Sequence, residues 1–245
     1  MSYFRDYLKR TDHRGLTKWL HYFDAFQREL GHLQGRDISF LEIGVYCGGS
    51  IPMWAGYFGP DARLVFADID PACTAHAEPG TVVEIGDQAD PVFLKELAEK
   101  HGPFDVIIDD GGHHVHQQTT SFEHLWPHLN DRGRYLVEDT HTSYWPGFGG
   151  GYREDKSFIE YSKRLIDLMH SWYTDQDEIF PFDEMARQIA GIRFYDSIVV
   201  IEKHRDKEAP LMIGSTNGEV TGSRRPLKIR GRRSLFQGKD GTRDR

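Results

Sequence analysis

Residues 40–58 read FLEIGVYCGGSIPMWAGYF. An apolar run reaches Ile43, glycines occupy positions 44, 48 and 49, and Ser50 stands where a helix begins. A strand, a glycine turn and a helix in fewer than twenty residues form the repeating unit of an α/β sheet, provided the unit recurs. It does. ARLVFADID (62–70), TVVEIGD (81–87), FDVIIDD (104–110) and GRYLVED (133–139) are short runs rich in β-branched or aromatic residues, each closing on acidic residues. Helical patterns lie between them: PVFLKELAEKH (91–101) follows Asp90, and HQQTTSFEHLWPHL (116–129) spaces its apolar residues three and four apart. This alternation predicts a mainly parallel sheet covered by helices on both faces. LTKWLHYFDAFQREL (16–30) reads as an amphipathic helix ahead of the sheet and KSFIEYSKRLIDLMHSWY (156–173) as another behind it. GIRFYDSIVVIEK (191–203) is predicted to close the sheet with an antiparallel hairpin turning near Tyr195 and Asp196.

A chain of 245 residues suits one substantial domain with a real core. Two cysteines, Cys47 and Cys73, exclude a disulfide scaffold and point to a reducing cytoplasm. A mean hydropathy of −0.58, and no apolar stretch near the ~20 residues of a membrane helix, argue against a membrane partner. Charge is uneven. Residues 204–245 hold 11 Lys and Arg against 5 Asp and Glu, a net +6, whereas residues 1–203 are net −14. The expected organisation is therefore a helical segment over 1–35, a domain over 36–203 and a basic tail over 204–245, too poor in large apolar residues to order itself. No nucleic-acid partner is expected from that tail.

In open α/β sheets ligands bind at the carboxyl ends of the strands, so the acidic strand ends carry the functional question. Glycines after the first strand let backbone pass close to a ligand, and Glu42 can accept from a ligand ammonium. Neither G-x-G-x-x-G nor G-K-[ST] is present, which suits a nucleoside without a pyrophosphate. Asp68, 24 residues past Gly44, can take both ribose hydroxyls, and Asp87 with Gln88 can meet a base edge. At the fourth strand end stands DDGGHH (109–114), and at the fifth EDTHTSYW (138–145). If those strands are neighbours, Asp110, Glu138 and Asp139 converge. Their mutual repulsion is relieved by a hard divalent cation, Mg²⁺ before Mn²⁺ or Ca²⁺. His113 is then free to serve as a base, since imidazole ordinarily titrates near neutrality.

These segments, EIGVYCGGS, ADID, GDQAD, IIDDGGHH and VEDTHTSYW, resemble the class I S-adenosylmethionine methyltransferases, and among them the metal-dependent sugar O-methyltransferases of macrolide pathways of the mycinamicin type; the cephamycin-pathway methyltransferase is also similar. The resemblance spans roughly residues 15–203. Its most specific part is D-x-x-H at Asp110 to His113 with E-D at Glu138 and Asp139, 28 residues beyond Asp110. It implies a Rossmann-like methyltransferase sheet and S-adenosylmethionine as methyl donor. Gly44 and Gly48 would pass the methionine part, with Glu42 and Asp109 near its ammonium, Asp68 on ribose and Asp87 by adenine. Mg²⁺ would sit on Asp110, Glu138 and Asp139, His113 would be general base, and a small-molecule glycoside would be acceptor. Related enzymes also imply a homo-oligomer. Catechol O-methyltransferase resembles this layout with lysine in the base position; the histidine here leans away from catechols, and a phenolic or catechol hydroxyl is the alternative acceptor. An NAD-dependent oxidoreductase is the rival outside methyl transfer, disfavoured by the missing dinucleotide fingerprint. The loop HTSYWPGFGGGYRED (141–155), rich in glycine and aromatic residues, is expected to form an acceptor lid, with His141, Tyr144 and Trp145 facing the acceptor.

Overall fold

The computed structural model describes residues 3–210 and 212–224. Five parallel strands form the sheet's core: β1 (Ser39–Ile43), β2 (Arg63–Asp68), β3 (Thr81–Ile85), β4 (Phe104–Asp109) and β5 (Leu129–Val137). The hairpin of β6 (Ile189–Tyr195) and β7 (Ile198–Lys203) adds to β5 antiparallel, giving the order β3-β2-β1-β4-β5-β7-β6. The order reverses direction between β1 and β4, so a crevice opens above their carboxyl ends.

Side chains alternate across the sheet with the strand period of two, and each set meets its own helices. Phe40, Phe66, Val106, Ile108 and Leu136 pack with α1 (Tyr3–Tyr7), α2 (Tyr22–Leu30) and α3 (Ser50–Phe58), where Phe4, Phe26 and Trp54 are completely buried. Leu41, Val65, Ile107, Tyr135 and Val137 face α4 (Pro91–His101), α5 (Val115–Leu125) and α6 (Phe158–His170). A short α7 (Met185–Gln188) leads into β6.

The helix starts follow local chemistry. Asp90 caps α4 by accepting from Val92 N at 2.8 Å, with Pro91 in the first turn. His114 and Gln117 form a capping box on α5, the His114 N–H donating to Gln117 Oε1 at 3.1 Å. α3 begins at Ser50 as expected, although the Ser50 hydroxyl donates to Glu42 at 2.5 Å rather than capping the helix. One start differs from expectation. The helix expected from residue 16 starts only at Tyr22, because residues 14–19 run without regular structure across the sheet edge. The basic segment expected to lack order carries a ribbon of its own, β8 (Met212–Thr216) with β9 (Glu219–Arg224); residues 225–245 of that tail lie outside the described residues. Among the described residues no helix is long and apolar enough to cross a membrane.

Candidate active site

A cleft of about 280 Å³ lies over the carboxyl ends of β1 to β4, lined by Gly44, Asp68, Asp87, Gln88, Asp110 and Gly112 among others. Gly44 has φ +103°, and a Cβ there would strike the Asp110 carbonyl, so only glycine lets the two strand ends approach. Asp68 accepts from the N–H groups of Val45 (2.8 Å), Tyr46 (3.1 Å) and Asp70 (2.9 Å), tying the glycine turn to β2. Burial would raise its carboxyl, but these three N–H groups outweigh burial and hold it below the ordinary carboxylate value. Asp87 caps its own turn through Ala89 N at 2.8 Å.

Three residues expected at the donor do not line this cleft: Glu42, Gly48 and Asp109. Parity explains Asp109, which shares the face of Ile107 and points toward α5. There it accepts from Ser121 and, at 3.0 Å, from Gln88, while Gln88 Oε1 accepts the Gly112 N–H at 2.7 Å. Burial raises the Asp109 carboxyl against these donors. Glu42 lies on the opposite face with Phe40, fully buried, accepting from Ser50 and from Trp54 Nε1 at 3.1 Å.

The condition placed on the fourth and fifth strands is met. β4 and β5 are hydrogen-bonded neighbours with Asp109 opposite Val137; past their ends Glu138 N bonds Asp109 O across that pair and Asp110 N bonds Ile43 O of β1, each 2.9 Å. Asp110, Glu138 and Asp139 therefore share one edge and line a second cleft of about 270 Å³ with Thr17, Lys18, Trp19 and Tyr22. Asp110 belongs to both clefts.

Two triads in this cluster have donor atoms within 4.8 Å of one another: Glu42 with Asp110 and Glu138, and Asp110 with His113 and Asp139. Into the first reaches the Lys18 ammonium, at 2.6 Å from Asp110, 2.9 Å from both Glu138 oxygens and 3.4 Å from Glu42. Burial opposes a charged lysine, yet Asp110, Glu138 and Glu42 outweigh it and hold the ammonium well above its ordinary value. One ammonium does not satisfy so many acids: burial and the adjacent Asp110 charge still push the Glu138 carboxyl well above its ordinary range. Asp139 stands apart from Lys18, accepting from the Tyr22 hydroxyl at 2.6 Å and facing His113 Nε2 at 3.3 Å. Burial, then the bond to Asp139, raises the Tyr22 phenol. His113 Nδ1 is buried without a hydrogen-bond partner. Neither triad is the expected set of Asp110, Glu138 and Asp139, but the two share Asp110 and together hold all three carboxylates, an oxygen-rich donor set that fits a hard divalent cation at this edge.

Beyond the cluster, His141 Nδ1 lies 2.5 Å from the Ser197 hydroxyl and its ring meets Trp145 edge-on at 4.7 Å and Trp19 at 5.9 Å. His141 and Tyr144 line a third depression with Phe194 and Tyr195, while Trp145 is half-exposed beside it. The loop after Asp139 is built of short helical turns closed by Gly150 N to Trp145 O at 3.1 Å and Gly151 N to Ser143 O at 2.8 Å. Lys18 and the Tyr22 contact were not foreseen. The only signal was a lysine inside the apolar run LTKWLHYF, and helical periodicity absorbed it.

A family model described as a methyltransferase domain matches residues 41–140. The 8-demethyl-8-alpha-L-rhamnosyl tetracenomycin-C 2'-O-methyltransferase of Streptomyces olivaceus is 34% identical over 200 residues, covering 77% of this chain and 52% of the relative. The mycinamicin VI 2''-O-methyltransferase of Micromonospora griseorubida is 33% identical over 202 residues, covering 78% and 50%. The solved structure of the mycinamycin-pathway methyltransferase MycE in complex with Mg and SAH superposes with a TM-score of 0.72 at 32% identity, over 78% of this chain and 51% of that one. The chain thus spans about half the length of the relatives it matches. On its sheet order, its strand-end residues and these likenesses together, the chain belongs to the Rossmann-like methyltransferase family that includes the macrolide and tetracenomycin sugar O-methyltransferases.

Proposed function

We propose that this chain is an S-adenosylmethionine-dependent, divalent-metal-dependent O-methyltransferase acting on a sugar hydroxyl of a glycosylated small molecule. The observation that carries the reading is Asp110 in the wall shared by two clefts, one lined by Gly44, Asp68, Asp87 and Gln88 and one lined with acids. A donor in the first and an acceptor in the second would meet there. The relatives' names support the acceptor class, and MycE in complex with Mg and SAH supports donor and metal.

Asp68, Asp87 and Gln88 would hold the nucleoside, and the backbone at Gly44 would let the methionine part pass. Asp109 would act one step removed, by fixing Gln88, and Glu42 by fixing Ser50 and Lys18, with Gly48 shaping the turn. Asp110, Glu138 and Asp139 would hold Mg²⁺, or Mn²⁺ or Ca²⁺; such an ion, when bound, lowers the pKa of an adjacent hydroxyl and fixes its position. His113 would take the hydroxyl proton at Nε2, the nitrogen that faces Asp139 at 3.3 Å in this structure, once the Asp139 carboxylate is drawn to the metal instead. The oxygen attacks the methyl carbon, the carbon–sulfur bond breaks, and the thioether leaves with the electron pair. The sulfonium methyl is already activated, so positioning, water exclusion and proton removal are the protein's share. His141, Tyr144 and Trp145 offer the faces on which a sugar would stack. The reading places a homo-oligomer in the cytoplasm, in keeping with unpaired Cys47 and Cys73.

The test combines calorimetric titration of S-adenosylhomocysteine, Mn²⁺ binding by electron paramagnetic resonance, and methyl transfer to a panel of glycosylated natural products. Asp139→Ala is expected to retain S-adenosylhomocysteine and lose Mn²⁺, because Asp139 lines only the second cleft. No affinity of the wild type for the nucleoside would end the reading.

A further inference from the structure

Between Leu8 and His21 the chain forms neither helix nor strand, yet it is pinned along its length. Arg14 donates to the His76 carbonyl at 2.6 Å beside the donor cleft. The Gly15 carbonyl rests against Gly49 so closely that a Cβ on Gly49 would strike it. His21 Nε2 meets the Asp196 carbonyl at 2.9 Å on the far hairpin. Lys18 lies midway along this strap, its side chain only 3% exposed.

The Lys18 ammonium and a divalent cation need the same lone pairs. Four oxygens surround Nζ, and three of them belong to Asp110 and Glu138. Those are two of the three residues that would hold the metal; the third, Asp139, is bonded to Tyr22 and faces His113 instead. Glu42 and Glu138 are fully buried, and a buried carboxylate keeps its charge only beside a counter-charge. A tethered ammonium is therefore the resident cation, and a monovalent ion arriving from solvent brings no more charge than the group it must displace. A divalent ion does.

We propose that Lys18 sets the cation selectivity of the site: its ammonium holds Asp110 and Glu138 until a divalent ion takes their oxygens, and strap residues 14–19 move with it. The proposal rests on the metal-dependent reading above. It makes metal entry and the position of Thr17 and Trp19, which line the acceptor-side cleft, one coupled event.

The experiment follows Mn²⁺ binding by paramagnetic resonance and melting temperature with and without Mn²⁺, for the wild type and Lys18→Met, with S-adenosylhomocysteine titrated in parallel. Amide hydrogen exchange over residues 12–20 of the wild type, with and without Mn²⁺, needs no variant. Lys18→Met is expected to melt lower without metal, to recover on Mn²⁺ addition, and to bind Mn²⁺ roughly tenfold tighter as a competing charge is removed. Mn²⁺ should speed exchange across the wild-type strap. Equal or weaker Mn²⁺ binding by Lys18→Met overturns the proposal, as does a strap whose exchange ignores Mn²⁺. A loss of S-adenosylhomocysteine affinity in Lys18→Met with unchanged Mn²⁺ affinity would assign the lysine to the donor instead. If neither protein binds Mn²⁺ while both bind the nucleoside, the metal part of the proposed function fails and Lys18 is a permanent counter-ion.

Discussion

His113 and Asp139 face each other across the cluster, and both hold the left-handed backbone that β-carbon sterics disfavour, with φ +59° and +52°. Such conformations cost of order 1–3 kcal/mol and persist where surrounding structure enforces them. Here the Thr142 hydroxyl bonds the His113 carbonyl at 3.0 Å and Tyr22 bonds both the carboxylate and the N–H of Asp139, so each side chain is aimed at the other. His113→Gln should lower methyl-transfer kcat by about 10²–10⁴, with S-adenosylhomocysteine affinity unchanged; equal kcat would remove the base role. Gly44→Ala should abolish detectable donor binding, since alanine at φ +103° meets the Asp110 carbonyl, and a calorimetric titration that matches the wild type would refute that. The acids at strand ends could be read from sequence because strands project successive residues predictably. Lys18 could not: its partners lie 24, 92 and 120 residues away, a distance over which no local pattern speaks.

Elements whose ends are set locally were legible. The start of α4 follows from Asp90 and Pro91, and the hairpin turn near Asp196 from a polar interruption between two apolar runs. The start of α2 was not, because Leu16, Trp19 and Phe23 fit a helical period whether or not the backbone takes it up. At its other end α2 is fixed by a buried acid. Glu29 receives Arg193 at 2.8 Å on both oxygens, Tyr195 at 2.5 Å and Arg134 at 3.3 Å, joining the helix to β5 and β6. Burial would raise the Glu29 carboxyl; Arg193 and Tyr195 outweigh burial and hold it below its ordinary value. The sign follows: the folded state binds its proton less readily than the unfolded state. This stabilisation is therefore full above the ordinary carboxylate range and fades as pH falls through and below that range. Glu29→Gln should cost roughly 3 kcal/mol at neutral pH, as expected for breaking a buried pair, and its melting temperature should fall less than the wild type's on acidification. Parallel pH profiles for the two proteins would show that the acid loss lies elsewhere.

At the scale of the whole molecule the charge boundary at His204 and the packing boundary do not coincide. His204 N bonds Gln188 O at 2.7 Å and Lys207 N bonds Arg187 O at 2.8 Å, so the basic segment stays attached to α7 through Lys207. After it, β8 and β9 pair only with each other, and residues 213–220 are all exposed. An isolated two-stranded ribbon is marginal in water. The amino-terminal residues, by contrast, are part of the core: Phe4 is completely buried, with ring centroids 4.6 Å from Tyr57, 5.6 Å from Trp54 and 5.7 Å from Phe26. Composition does not reveal this difference, since charge reports what a segment does in water and not whether a sheet face lies near enough to cover its aromatics. Phe4→Ala should therefore cost about 3–5 kcal/mol, a fall of roughly ten degrees at the 2–4 °C per kcal/mol of a domain this size. Ile213→Ala and Val220→Ala, at side chains 63% and 73% exposed, should stay within about 0.5 kcal/mol. Thermal or urea unfolding of the three variants checks both halves of the expectation. A large loss at Ile213 or Val220 would mean that the ribbon unfolds with the sheet, and that another surface covers those side chains in solution.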